Sequence, residues 1–481
     1  MTPKSVIFIE PVGSESNVFE KYMRLPLMGS LYLGTILHNE GYSVRIFNEN
    51  LLDQPFDAHE RQADAYCISA LTVSARRARE LALEIKRIHP ESRVIIGGIH
   101  ASLSPESFDG VADHIVYGEA ETIIVDLVEG RFDSRLVRGA PMHDLDDLPL
   151  VNYRLLENYD SMDIIPVMTS RGCPFDCNFC TVTKIFGKKF RMQSPERIMR
   201  EVRNALSVFK TRMVFFYDDN FTANRPRVKT LCELMTKEGL DFQWVTQVRS
   251  DIAKDPQLLD LMQQAGCRFF FIGFESINDA TLKSMHKSQT RSDIERAIAT
   301  IRKKGISIHG MFIFGDDNDT PESIRATVDF AIRHHIDTVQ FMILTPFPGT
   351  QYYEEIAGQN RLLHQHWSYY NAMFTVFRPA AMTAATLQYE TVKAYERFYS
   401  LRRQLMETMR LCVDITLDAL TWNFSAAFKY SFDLVLLRSG ARFLVGRYAR
   451  TLKPYVAFLK RLESDAQGGA AASPPQTSVE Q

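Results

Sequence analysis

The feature that most constrains this chain is an alternation: short apolar stretches of strand length are followed by longer amphipathic ones, in two successive series. In the first series, residues 5–10, 42–47, 65–70, 93–96 and 114–117 read as strands, with helical spacing over 27–40, 74–89 and 121–129. Gly41 closes the first of those helices. In the second series, 164–169, 212–217, 242–248, 269–274, 306–314 and 338–345 read as strands. Ser194 followed by Pro195 marks the start of a helix over 195–208. Strands that alternate with helices build parallel sheets covered by helices, so the class is α/β, and six such units in the second series imply a partial (β/α) barrel. In both arrangements ligands belong beyond the carboxyl ends of the strands.

At 481 residues one core is not expected. The pattern divides the chain into a first domain over 1–130, a linker over 131–161 with little periodicity, a barrel over 162–355, a mostly helical region over 356–461 and a disordered tail over 462–481. A net charge of −2 lacks the basic excess of a general nucleic-acid binder. No secretory leader opens the sequence and no uncharged apolar run reaches about 18 residues, so a cytoplasmic protein is expected.

Seven cysteines are too few and odd in number for a disulfide framework. Cys67, Cys232, Cys267 and Cys412 sit among apolar neighbours and read as buried thiols. Cys173, Cys177 and Cys180 crowd into Ser170-Arg171-Gly172-Cys173-Pro174-Phe175-Asp176-Cys177-Asn178-Phe179-Cys180, directly after a strand. Three thiolates suit an iron–sulfur cluster or zinc. A structural zinc site wants a fourth protein ligand, yet no histidine lies between residues 144 and 285, and Cys232 and Cys267 are set apart by helical segments.

C-x3-C-x2-C at the end of the first strand of a barrel resembles the radical S-adenosylmethionine (SAM) superfamily. The resemblance implies that the three cysteines hold a [4Fe–4S] cluster whose open iron chelates SAM. One electron then cleaves SAM to methionine and a 5′-deoxyadenosyl radical. It further implies SAM contacts at Asp218 and Asp219 after the second strand, Arg249 after the third, Glu275 after the fourth, Gly310 and Gly315 on the fifth, and Phe179 beside the last cysteine. The layout of the first domain is similar to the Rossmann-like cobalamin-binding domain that precedes many such barrels. Thr72, Gly97, Gly98, Gly118 and Glu119 fall in the loops which that similarity assigns to cobalamin. The cobalt-ligating D-x-H-x-x-G is missing after the first strand, where Glu10-Pro11-Val12-Gly13 stands; cobalamin is therefore expected without a histidine below cobalt, and His100 reads as a loop histidine bonded to backbone.

The group so resembled includes hopanoid C-methylases and the anaerobic Mg-protoporphyrin monomethyl ester oxidative cyclase. Pro346-Phe347-Pro348-Gly349-Thr350 belongs to the same resemblance, as does, less specifically, the region carrying Val376-Phe377-Arg378-Pro379. The expected function is C-methylation of an unactivated carbon in a hydrophobic (lipid or isoprenoid-like) or secondary-metabolite substrate. The alternatives are oxidative cyclisation or another radical rearrangement, and, from another class, a non-catalytic cobalamin or redox sensor. An electron donor such as flavodoxin or ferredoxin is implied, and no nucleic acid. Residues 411–460 carry seven Lys/Arg and three Asp among apolar residues. This composition suits either peripheral contact with the inner membrane face or helices packed over the barrel.

Overall fold

The computed structural model describes residues 4–13, 24–407, 409 and 439–465. The first series folds into one parallel sheet. Its strands are β1 (Ser5–Glu10), β2 (Ser43–Asn48), β3 (Ala65–Ser69), β4 (Arg93–Gly97), β5 (His114–Tyr117) and β6 (Leu136–Arg138), in the order β2-β1-β3-β4-β5-β6. The reversal of strand order between β1 and β3 creates the crevice at which doubly wound sheets bind ligands. Strand β6 comes from the stretch read as a linker, which also forms 3-10 turns at Leu145–Asp147, Tyr153–Leu155 and Tyr159–Ser161. Elements that short leave no periodic trace in sequence.

The second series forms another parallel sheet from β7 (Ile165–Val167), β10 (Met213–Phe216), β11 (Gln243–Val248), β12 (Cys267–Glu275), β13 (Ser307–Phe314) and β14 (Thr338–Ile343), joined in chain order. Between β7 and β10, β8 (Ser170–Arg171) pairs antiparallel with β9 (Arg191–Met192). The strand expected over 164–169 therefore ends early. Asp218 is the cause: it accepts from the Thr169 amide at 2.7 Å and the Ser170 amide at 2.9 Å, drawing the chain off the sheet. Pro195–Val208 is a helix, and the Ser194 side chain caps it by accepting from the Arg197 amide at 3.2 Å.

Alternation along the strands separates two faces. Phe270, Ile272 and Phe274 on β12, with Ile308 and Phe312 on β13, are fully buried toward the helices. Phe269, Phe271, His309 and Met311 take the other, concave face and are partly exposed. Phe215 and Phe271 meet at 5.5 Å although β11 lies between their strands, a contact that only the inside of a curved sheet permits.

Beyond the barrel, Ala384–Phe398 and Lys453–Asp465 are helical. The second of these runs past residue 462, into the stretch read as a disordered tail; residues 466–481 and 410–438 lie outside the described residues. Between 439 and 460, Leu444, Val445, Tyr448, Leu452, Tyr455, Phe458 and Leu459 are buried, and Arg442, Arg447, Arg450, Lys453 and Lys460 face solvent. Tyr448 and Tyr455 donate to the carbonyls of Met373 and Thr375 at 2.8 and 2.9 Å. Apart from Phe443, which is exposed, the large apolar side chains of this segment are thus taken up by packing. No described helix is long and apolar enough to cross a membrane.

Candidate active site at the mouth of the barrel

The cysteine segment leaves β8 through Gly172, whose φ of +85° and surroundings exclude a side chain: a Cβ would stand 2.5 Å from the Lys189 carbonyl oxygen and 2.9 Å from that of Gly187. The Cys173 amide donates to the Gly187 carbonyl at 3.4 Å, and the Cys180 amide to that of Cys177 at 3.2 Å. All three thiols are partly buried. Burial pushes the Cys180 thiol up to about 12, and the charges of Cys177, Asp219 and Cys173 add to it. Cys173 is raised by burial in the same way, with Cys177 and Asp219 contributing. Soft donors that raise one another's pKa, gathered in one segment, fit a cationic iron–sulfur cluster. The fit is one of donor chemistry and adjacency: among the described residues no three His, Cys, Asp or Glu side chains are already grouped to hold a metal ion.

Around this segment the strand ends divide into occupied and open side chains. Asp218 is fully occupied, with Thr169, Ser170 and, at 3.8 Å, Arg227. It positions the cysteine segment from below. Asp219 is exposed at the mouth; partial desolvation by its neighbours and the charge of Asp218 push its carboxyl up to about 6. Arg249 lies with its guanidinium 3.7 Å over the Phe175 ring, and its Nε is buried without a hydrogen-bond partner. That orphaned donor fits a carboxylate ligand. Phe179 is half-buried and packs against the main core.

Glu275 adopts φ +60° at an irregularity in the β12–β13 ladder and folds back on Lys287, 2.6 Å away. A Cβ at Gly273 would lie within 2.4 Å of its carboxylate, so Gly273 is what admits this ion pair. Gly310 faces the helix layer, where a Cβ would meet Phe312, Ile336 and Phe274 at 3.1–3.3 Å; its bareness serves packing. Gly315, at φ +109°, turns the chain beneath Phe377 and Leu387 and donates its amide to Asp319 at 3.0 Å.

At the carboxyl ends of the first sheet, Gly98 (φ +95°) lies against the backbone of Ala70 after β3, and Gly118 (φ +85°) against the Gly139 carbonyl after β6. Gly97 has ordinary room, with Val116 at 3.8 Å. Thr72 is buried, and its hydroxyl meets His100 Nδ1 at 3.3 Å. His100 is not bonded through its ring to backbone as expected: Nε2 meets the Ser107 hydroxyl at 3.1 Å and the ring contacts Trp367 at 5.2 Å. Burial lowers its pKa to about 4, so it stands neutral. Glu119 holds Arg171 and Arg191 in a buried ion cluster that includes Glu121, with Arg171 2.5 Å from each carboxylate. The cluster bolts the β5 loop of the first sheet to the strand that launches the cysteines.

Sequence reasoning missed Arg171 and Arg191, which carry no local signature. It also missed the ring path on the concave face: Tyr217–Phe215 at 5.4 Å, Phe215–Phe271 at 5.5 Å and Phe271–His309 at 5.0 Å. Phe215 on β10, Phe271 on β12 and His309 on β13 supply it with Tyr217 just past β10, and a reading by period two finds it. Tyr217 stands between the sheets. Its phenol is raised by desolvation and by the charges of Asp219, from the barrel, and Glu10, from the end of β1.

Residues 167–331 match the radical SAM superfamily and residues 20–128 the B12 binding domain. An uncharacterized methyltransferase of Pyrococcus horikoshii is 30% identical over 404 residues, covering 78% of this chain and 88% of the relative. Bacteriochlorophyllide d C-8(2)-methyltransferase of Chlorobaculum tepidum is 29% identical, covering 72% of this chain and 80% of the relative. In fold, the chain superimposes on the cobalamin-dependent S-adenosylmethionine radical enzyme OxsB, with aqua-cobalamin bound, at a TM-score of 0.66 and 15% identity, over 99% of this chain and 77% of that one. Two family matches in this order, with a relative aligned along most of both chains, show that the protein belongs to the cobalamin-dependent radical SAM family of methyltransferases, whose cofactors are a [4Fe–4S] cluster, SAM and cobalamin.

Proposed function

We propose that this enzyme C-methylates an unactivated carbon of a hydrophobic substrate bearing an extended ring system. The observation that carries the reading is the concave face of the barrel, where Tyr217, Phe271 and His309, backed by the buried Phe215, present an aromatic surface. Rings of this kind bind flat apolar ligands by offset or edge contacts, each adding about 1 kcal/mol beyond area burial. The name of the Chlorobaculum tepidum relative, which methylates a bacteriochlorophyllide, supports the same substrate chemistry. His309 adds a neutral polar point to the bed: burial lowers its pKa to about 4, and its Nδ1 meets the Thr338 hydroxyl at 2.8 Å.

Together the cluster, SAM and cobalamin supply reductive SAM cleavage, hydrogen abstraction and a transferable methyl group. The chain's own residues hold and orient them. Cys173, Cys177 and Cys180 would ligate the iron, Arg249 would take the SAM carboxylate and Asp219 its amino group. Thr72, Gly97, Gly98 and Gly118 shape the seat for cobalamin at the ends of β3, β4 and β5. No histidine is offered to cobalt by this seat, because His100 is held by Thr72 and Ser107. A low-potential protein such as flavodoxin or ferredoxin delivers the electron. The protein works in the cytoplasm, and over residues 439–460 the exposed basic face leaves only weak, salt-sensitive attraction to an anionic bilayer.

Anaerobically reconstituted enzyme, incubated with SAM, a reductant and chlorin or polycyclic isoprenoid candidates, tests the reading. The product should gain one CH2, with 5′-deoxyadenosine formed alongside. A product that loses hydrogen without gaining carbon would instead place the enzyme with the cyclases.

A further inference from the structure

The chain between Cys180 and Arg191 folds back against the cysteine segment, through the Cys173–Gly187 hydrogen bond and the close approach of Gly172 to Lys189. On the opposite flank, Asn178 donates its amide to the Met285 carbonyl at 3.4 Å and its Nδ2 to the Ser284 carbonyl at 3.0 Å. Two turns therefore grip the residues between the cysteines from either side. Both are cationic where they meet solvent: Lys184, Lys188 and Lys189 on one and Lys283 on the other, all exposed. Asp176, between the first two cysteines, is engaged by Lys188 at 2.8 Å. Past Asn178, the helix Gln351–Gly358 carries exposed Glu354 and Glu355 and gives the cationic area an edge. On a chain whose net charge is −2, such a concentration departs from the average surface.

We propose that this face is where the electron donor docks: an acidic, low-potential, one-electron carrier protein with a flavin or iron–sulfur group seats on Lys184, Lys189 and Lys283. The inference rests on reading the three cysteines as the cluster site. In the transfer the donor's reduced group loses one electron and the cluster gains it; no bond forms or breaks and no proton moves. Charge complementarity recommends such a partner, because opposite fields speed encounter and fix orientation at a transient interface. The patch lies on the chain that wraps the cysteines, which keeps the transfer path short.

The test uses holoenzyme and two triple variants, Lys184→Glu/Lys189→Glu/Lys283→Glu and the milder Lys184→Gln/Lys189→Gln/Lys283→Gln; Lys188 is kept because it holds Asp176. Titration calorimetry with oxidised flavodoxin should show wild-type binding that weakens steeply with salt. At low salt the Glu variant should bind at least about tenfold more weakly, with the Gln variant between. Carbodiimide coupling followed by peptide mass spectrometry should join flavodoxin carboxylates to Lys184, Lys189 or Lys283. SAM cleavage driven by limiting reduced flavodoxin should fall in both variants, while cleavage driven by dithionite stays at the wild-type rate. Unchanged flavodoxin affinity in both variants, or cross-links confined to another face, would overturn the docking surface. Wild-type enzyme that fails to cleave SAM even with dithionite would instead remove the cluster reading beneath it.

Discussion

The carboxyl ends of the two sheets share one construction, a parallel strand turning toward a helix, and differ in how far their polar side chains are occupied. In the first sheet most of them are held by one another. Glu10 accepts from the Leu27 amide at 3.0 Å and from Asn48 at 2.5 Å; His100 is held by Thr72 and Ser107, and Glu119 by two arginines. At the barrel mouth Asp218 and Glu275 are occupied as well, but other groups are left open: Arg249 keeps an orphaned Nε, Asp219 is exposed and the thiols stay partly exposed. Satisfied groups make a rigid seat that recognises shape, and open ones retain free energy for a ligand. A seat of the first kind suits a large preformed cofactor; the second is what chemistry at a small charged ligand requires.

The largest expected effect breaks the open side outright. Cys173→Ala, Cys177→Ala or Cys180→Ala should each abolish the cluster, read as iron content and Mössbauer signal. Cys232→Ala, buried among apolar residues, should keep the iron and lose about 1 kcal/mol of stability. On the satisfied side, Arg171→Met strands Glu121 in the interior. It should cost about 3–5 kcal/mol, seen as a lower denaturant midpoint and faster hydrogen exchange in β5 and β8 together. Loss of protection in one sheet alone would show that the ion cluster does not couple them.

Glu10 sharpens the contrast through pH. Burial raises its carboxyl from 4.5 to about 7, so the folded protein keeps a proton that the unfolded chain has released. Its contribution is fully favourable below about pH 4.5 and is lost as the pH rises through 7, an effect of about 3 kcal/mol. Glu10→Gln should flatten that decline between pH 5 and pH 8, and a parallel pH profile in the variant would refute the assignment. At the mouth, Arg249→Gln should weaken SAM binding by about tenfold to a hundredfold with the cluster intact, the worth of a charged hydrogen bond; equilibrium dialysis reads it. The smallest effect belongs to Arg442, Arg447 and Arg450. Changing all three to Gln should reduce low-salt co-sedimentation with anionic vesicles by less than about 1 kcal/mol per residue, since the large apolar side chains of their segment, Phe443 apart, are already packed.

Much of this was legible in the chain. Strand and helix periods located five strands of the first sheet and six of the second, because burial on one or both faces writes itself into local spacing. Missing were β6, too short to show a period, and the early end of β7, which depends on Asp218 some fifty residues downstream. For the site, the three cysteines were legible because they fall within one loop. Glu119, Glu275 and Gly310 were legible in place but not in role: whether a carboxylate meets a cofactor or an arginine depends on what the fold brings opposite it, here Arg171, Arg191 and Lys287.

By itself, then, the sequence determined the class of fold, the order of the two sheets and the grouping of three thiols in one loop, all of which rest on interactions between residues close in the chain. The tertiary structure alone decided which strand-end groups are occupied and which are open, how aromatic residues from separate strands join into one surface, and which cations ring the cysteine segment. Those depend on distances between residues far apart in sequence, and such distances are fixed only when the sheet curves and the two sheets are bolted together through Arg171.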